Sequence, residues 1–143
     1  MGLRRLSHER PEVTFDVSVR ETAHIMAASH IGAIAVRKGA EVVGVFSERD
    51  LIERVVAEGR DPVTTRVGAV MNSNVVKVLD SDTVERAASA MRARRVRHAV
   101  IVDAAGDYVA LLSERHLLYD LMNALEAKVG DLAGYLMTDG PGG

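Results

Sequence analysis

The sequence predicts a mixed α/β (α+β) fold of two related halves, each with one small sheet and two helices, set about a pseudo-twofold axis. Three observations carry this. Apolar runs of strand character alternate with runs of helical period. The order helix, strand, strand, helix occurs twice, with its core positions in register. The junction Gly44-Val45-Phe46-Ser47-Glu48-Arg49-Asp50 returns as Ala110-Leu111-Leu112-Ser113-Glu114-Arg115-His116, and only the second copy ends on histidine.

In chain order, residues 1–12 read as a polar N-terminal arm. Arg4, Arg5 and Arg10 could meet a phosphate there, but a solvated, frayed terminus is expected. Ser18-Val19-Arg20-Glu21 has the form of a capping box. It opens a helix with Val19, Ala23, Met26 and Ala27 on one face. His24 and His30 are six residues apart, so they do not share a face as metal ligands would. Ile34-Ala35-Val36 reads as a buried strand, Lys38-Gly39 as a turn, and Val42 to Phe46 as a second strand. A helix with Leu51, Ile52, Val55 and Val56 inward follows, and Gly59 stops it. Asp61-Pro62 begins a linker that closes on Val67-Gly68-Ala69-Val70-Met71.

A shift of 65 lays Val19, Ala23 and Met26 on Val84, Ala88 and Met91, and Ile34-Ala35-Val36 on Ala99-Val100-Ile101. The second turn, near Ala105-Gly106, is one residue longer. Beyond it a shift of 66 lays Leu51, Ile52, Val55 and Val56 on Leu117, Leu118, Leu121 and Met122. The expected units are therefore the arm 1–12, a first repeat 13–66, a second repeat 67–125, and an amphipathic tail 126–143. Leu125, Val129, Leu132, Leu136 and Met137 line the tail, with a break near Gly130 and no order from Asp139 to Gly143. Neither half buries much surface alone, so the two sheets are expected to pack together.

Composition excludes several classes. The chain has 143 residues, 48% of them hydrophobic but only 3% aromatic. Its core is therefore aliphatic, and a single-stranded nucleic-acid platform lacks the rings it needs. A net charge of −2 gives no footprint for DNA or RNA. With no cysteine, disulfides, thiolate nucleophiles and zinc–thiolate sites are all absent. There is no secretory h-region and no apolar run of spanning length, so a cytoplasmic protein that avoids membranes is expected. No P-loop, dinucleotide fingerprint or nucleophile elbow is present, so no catalytic residue, metal site or enzymatic role is expected.

The doubled Gly-hydrophobic-x-Ser/Thr-x-x-Asp pattern resembles the signature of the CBS (cystathionine β-synthase) domain, which occurs as tandem pairs (Bateman-type modules). Val67-Gly-Ala-Val-Met71 is similar to that family's connector into its second copy. Ile31-Gly-Ala-Ile-Ala-Val36 and Val96-Arg-His-Ala-Val-Ile101 are similar to its central strand. The likeness covers residues 13 to 125 and is closest to small stand-alone bacterial CBS-pair signal-transduction proteins. It implies adenosine ligands (AMP, ADP, ATP, NAD or S-adenosylmethionine) in clefts between the repeats, and homodimeric discs of two pairs. The role it implies is to sense energy or redox state and act on a regulated partner protein.

The residues themselves fit such a ligand. Ser47, at a strand–helix junction, can cap the helix or bond a phosphate, and free backbone N–H groups are expected beside it. Asp50 can accept both hydroxyls of a ribose. Gly44 admits a close backbone approach. Arg49 lies between them. The resemblance completes this cleft with Asn74, Val75 and Val76 at the adenine edge, Val96 and Val100 sandwiching the ring, and Arg97 and His98 at the phosphates. The second cleft would use Val13, Thr14, Ile31, Gly32, Ala33, Ser113 and His116. It lacks both the carboxylate and the cationic pair, so it is expected to be weaker, different or empty, a dinucleotide reaching out of it being one alternative. Ser-x-x-Asp is also an ordinary capping box, and the competing reading is a ligand-independent dimeric adaptor with vestigial clefts.

Overall fold

The computed structural model describes residues 2–7 and 9–139, with 135–139 described by backbone alone. The elements are β1 (Glu12–Thr14), α1 (Val19–Ser29), β2 (Ala33–Lys38), β3 (Glu41–Ser47), α2 (Glu48–Asp50), α3 (Val67–Val70), β4 (Lys77–Leu79), α4 (Val84–Arg94), β5 (His98–Val102), β6 (Tyr108–Ser113) and α5 (Glu114–Asp139). A 3-10 turn, Leu3–Arg5, precedes β1, and a π-helical segment, Leu51–Val56, continues α2. The two sheets run β1-β2-β3 and β4-β5-β6, each with one parallel and one antiparallel pairing. Even their irregularity is duplicated, with a bulge after Val36 in one sheet and after Ile101 in the other.

Local chemistry explains the helices. The Ser18 hydroxyl accepts from the Glu21 N–H at 3.1 Å to open α1, and Thr83 does the same for Arg86 at 3.2 Å in α4. Both helices end on a non-glycine residue in the left-handed region, His30 (φ 54°) and Arg95 (φ 55°). The following N–H groups, of Ile31 and Val96, return to the Met26 and Met91 carbonyls at 3.0 Å each, closing both helices by the same Schellman turn.

Strand alternation sorts the core into three layers. Ile34, Val36 and Phe46 face α1 in the first lobe, while Ile101 and Leu112 face α4 in the second. Between the sheets lie Ala33, Ala35, Val45, Val100, Val102, Tyr108 and Leu111. The sheets thus pack face to face, as the small size of each half requires.

Four expectations are corrected. The arm is not frayed. Leu3 is fully buried in the second lobe's core, where its N–H donates to the Asp80 carbonyl at 2.8 Å. The Ser7 hydroxyl donates to the Leu111 carbonyl at 2.9 Å, and the Leu111 N–H donates to the Glu9 carbonyl at 3.0 Å. Arg4 and Arg5 are paired with Asp80 and Asp120, and Arg10 lies near Glu12, so none waits for a phosphate. Second, α3 packs on the first lobe, through Val67 and Val70, although it falls within the expected second repeat. The two corrections are one. The Gly68 N–H donates to the Phe15 carbonyl as Leu3 does to Asp80, so each repeat's leading segment crosses onto the other lobe.

Third, α5 runs unbroken through Gly130 to Asp139; residues 140–143 lie outside the described residues, as do the side chains of Leu136 and Met137. Fourth, of the apolar helix positions expected inward, Val55 is buried and Leu51 and Leu117 are half-buried. Ile52, Val56, Leu118, Leu121 and Met122 are exposed. One i, i+4 stripe suffices to meet the sheet, and the neighbouring stripe faces outward. Among the described residues, no helix is long and apolar enough to cross a membrane.

Candidate functional site

Two strand–helix junctions build the site. At the first, Asp50 Oδ2 accepts from the Ser47 N–H at 2.9 Å and from the Ser47 hydroxyl at 3.0 Å. The Ser47 hydroxyl in turn accepts from the Asp50 N–H at 3.3 Å. This is a complete capping box. Asp50 is only 7% exposed, and its Oδ1 lies 3.6 Å from Arg54 Nε. A carboxylate offers about four lone-pair sites, so Oδ1 keeps room to accept from a ligand.

The second junction repeats the box with an imidazole. His116 Nδ1 accepts from the Ser113 N–H at 2.9 Å and lies 3.0 Å from the Ser113 hydroxyl, which accepts from the His116 N–H at 3.2 Å. At each junction the opposing loop supplies one more acceptor. The Gly32 carbonyl takes the Glu48 N–H at 3.0 Å and the Arg97 carbonyl takes the Glu114 N–H at 2.8 Å. The expected free N–H groups beside Ser47 are therefore largely committed, because the chain turns tightly enough for protein oxygens to reach them.

The two expected clefts open into one cavity of about 620 Å³. It brings together Ser47, Arg49, Asp50, Val96, Arg97 and His98 from the first set and Ile31, Gly32, Ala33, Ser113 and His116 from the second. The others lie elsewhere. Val100 is fully buried between the sheets, so its side chain cannot sandwich a ring. Val76 and Val13 are core residues of the two lobes. Val75 packs against the inter-sheet layer, the Asn74 amide is bonded to Arg94, and the Thr14 hydroxyl to Asp16. Gly44 answers the connector and not a ligand, since a Cβ there would stand 2.3 Å from Met71 Sδ.

Sequence reading missed His30, Arg95 and Arg115 on the cavity wall. The shift of 65 that pairs the repeats also pairs His30 with Arg95, so the signal was present. Left-handed backbone at both positions is a strain that costs about 1 kcal/mol or more per non-glycine residue. Among the described residues, the side chains of Arg95, Arg97 and Arg115 have no hydrogen bond or ion pair, whereas Arg49 pairs with Glu53 at 3.2 Å. Burial holds the His98 imidazole below its ordinary pKa, helped by the charges of His116 and Arg97 and opposed by those of Asp50 and Glu114. Burial also lowers His116, with Arg115 assisting and Glu9 opposing. His98 is therefore close enough to feel both Asp50 and His116 across the cavity. No metal-holding group of acidic or histidine side chains occurs among the described residues.

The CBS-domain family model matches residues 5–57 and 67–123. The chain belongs to the CBS-domain family. Relatives include the CBS domain-containing protein YhcV of Bacillus subtilis, 31% identical over 86 residues, covering 60% of this chain and 61% of that one. The mitochondrial CBS domain-containing protein CBSX3 of Arabidopsis thaliana is 29% identical over 94 residues, covering 62% of this chain and 46% of that one. The chain spans only 20% of the longer Arabidopsis protein CBSCBSPB2. Among solved structures, the CBS domain protein PAE2072 from Pyrobaculum aerophilum, complexed with AMP, is 30% identical with a TM-score of 0.72, covering 86% of this chain and 99% of that one. The CBS-domain containing protein ATU1752 from Agrobacterium tumefaciens is 28% identical with a TM-score of 0.72, covering 82% and 94%.

Proposed function

We propose that this chain is a non-catalytic regulatory module that binds an adenosine nucleotide at the seam between its repeats and passes the bound state to a partner protein. The carrying observation is one cavity lined by a buried carboxylate, Asp50, and by Arg95, Arg97 and Arg115, whose side chains have no hydrogen bond or ion pair among the described residues. A diol acceptor sharing a cavity with guanidiniums matches a ribose joined to phosphate. The AMP complex of a 30% identical neighbour supports the same class. AMP, ADP and ATP fit most directly, NAD and S-adenosylmethionine being further members of it. Asn74–Val76 would meet the adenine through backbone atoms, since the side chains are engaged elsewhere.

A ligand that binds only the folded chain raises its melting temperature, by about 2.7 kcal/mol of stabilisation at 100 times its Kd. Thermal melting with millimolar AMP, ADP, ATP, NAD and S-adenosylmethionine tests this directly. If no member of the set raises the midpoint, the reading fails.

The exposed stripe Ile52, Val56, Leu118, Leu121, Met122 and Leu125, each more than half exposed, favours a second element. Two copies would pair through it into a homodimer, and burying such a stripe is the usual fate of a large apolar patch. Sedimentation should give twice the chain mass of 15.4 kDa. A dimer that binds none of these nucleotides would select the adaptor reading.

A further inference from the structure

We infer that the cavity takes one nucleotide per chain lengthwise, with its ribose diol at Asp50 and its terminal phosphate at His116. The second repeat then supplies a phosphate subsite in place of a second nucleoside site. This rests on the adenosine-nucleotide reading above and goes beyond it in fixing orientation, stoichiometry and the part played by His116.

The tautomer comes first. A backbone N–H can only donate, so His116 Nδ1, 2.9 Å from the Ser113 nitrogen, is the bare nitrogen of the ring. The proton of the neutral imidazole is then on Nε2. Asp50 fills the same place in the first repeat, but a carboxylate only accepts. One junction therefore presents an acceptor for hydroxyls, and its equivalent presents a donor that suits an anion. Each uses its other atom for the same capping bond, so the difference is confined to what faces the ligand.

Most of the remaining cationic groups of the lining lie on the same repeat as His116. Arg95, Arg97 and Arg115, whose side chains have no hydrogen bond or ion pair among the described residues, all belong to the second repeat, as do His98 and His116. The first repeat offers Asp50, Glu48 and His30, with its Arg49 paired to the exposed Glu53. The acids Glu9 and Glu114 also line the cavity and leave the second repeat's share of it with more cations than anions. A molecule with a diol at one end and negative charge at the other has one favourable direction here. The volume of about 620 Å³ lies within the range of a single small-molecule site.

Isothermal titration of adenosine, AMP and ATP into the wild type, His116→Asn and His116→Asp tests the assignment. Aspartate should preserve the cap, as Asp50 does in the first repeat, and asparagine preserves both the cap acceptor and a donor. One ligand per chain is expected. His116→Asp should weaken ATP by about tenfold or more, the worth of a hydrogen bond to a charged group turned repulsive, while adenosine stays within about twofold. His116→Asn should hold ATP within about threefold of the wild type. With ¹⁵N-labelled histidine, the Nε2–H resonance of His116 should move on adding ATP and stay on adding adenosine. Two ligands per chain, equal losses in both variants, or a still Nε2–H resonance would overturn the inference and leave nucleotide binding standing. If no ligand binds the wild type, the nucleotide reading falls, and this inference falls with it.

Discussion

Asp50 and His116 occupy equivalent places, cap equivalent helices and make equivalent bonds to equivalent serines. The capping half of the motif is the same in both copies, and the half proposed to face a ligand differs. A capping box needs only one acceptor atom at the right distance, which a carboxylate oxygen and an imidazole nitrogen both supply. Ribose recognition needs further acceptor lone pairs, which the imidazole lacks. The comparison separates what holds the fold from what reads a ligand.

The largest expected effect tests the exchange of leading segments. Leu3→Ala should lower unfolding free energy by about 3 kcal/mol, as for a buried leucine, where a frayed arm would give a change within about 0.5 kcal/mol. Urea denaturation measures the difference. Next, Asp50→Ala and His116→Ala should each lose about 1 kcal/mol with the cap. Only Asp50→Ala should also lose adenosine binding; matching losses of adenosine in calorimetry would erase the functional asymmetry.

Smaller and opposite in sign, His30→Gly and Arg95→Gly should each raise stability by about 0.5–1 kcal/mol by relieving left-handed strain. Arg95→Gly should at the same time weaken ATP more than adenosine, a split that a purely structural residue would not produce. The smallest effect concerns pH. Both His98 and His116 titrate below their ordinary value of 6.5, so the unfolded chain takes up protons first. Their contribution is complete above pH 6.5 and is lost as the pH falls through the window below it. The melting temperature should drop between pH 7 and about pH 5, and less in the double variant His98→Asn, His116→Asn. A steeper drop in the variant would reverse the assignment.

The repeated order, the strand alternation and the Ser47 and Ser113 junctions were legible because each depends on local period or on identity between copies. The crossing of the leading segments was not. Residues 3–12 and 68–77 share little beyond spacing, and their equivalence shows only in bonds such as Leu3 to Asp80 and Gly68 to Phe15. The site was half legible. Ser47, Asp50, Arg97 and His98, drawn from the junction and from the family resemblance, line one cavity. Val100 did not, because strand alternation turns it into the layer between the two packed sheets, and the repeat pattern does not say which strand face that is. His30 and Arg95 went unread because their pairing by the repeat shift does not by itself mark a left-handed helix end, where glycine is the usual residue.

The crossed segments set an order of events in synthesis. Leu3, Arg5, Ser7 and Glu9 are translated long before Asp80, Leu111 and Asp120, the partners that hold them. Until those emerge, Leu3 has no lobe to enter, and the first lobe likewise lacks Val67 and Val70. Neither lobe can complete its core from one repeat of the message. Such distant contacts make closure slow, and they make the two lobes mature together, late, as a single cooperative unit.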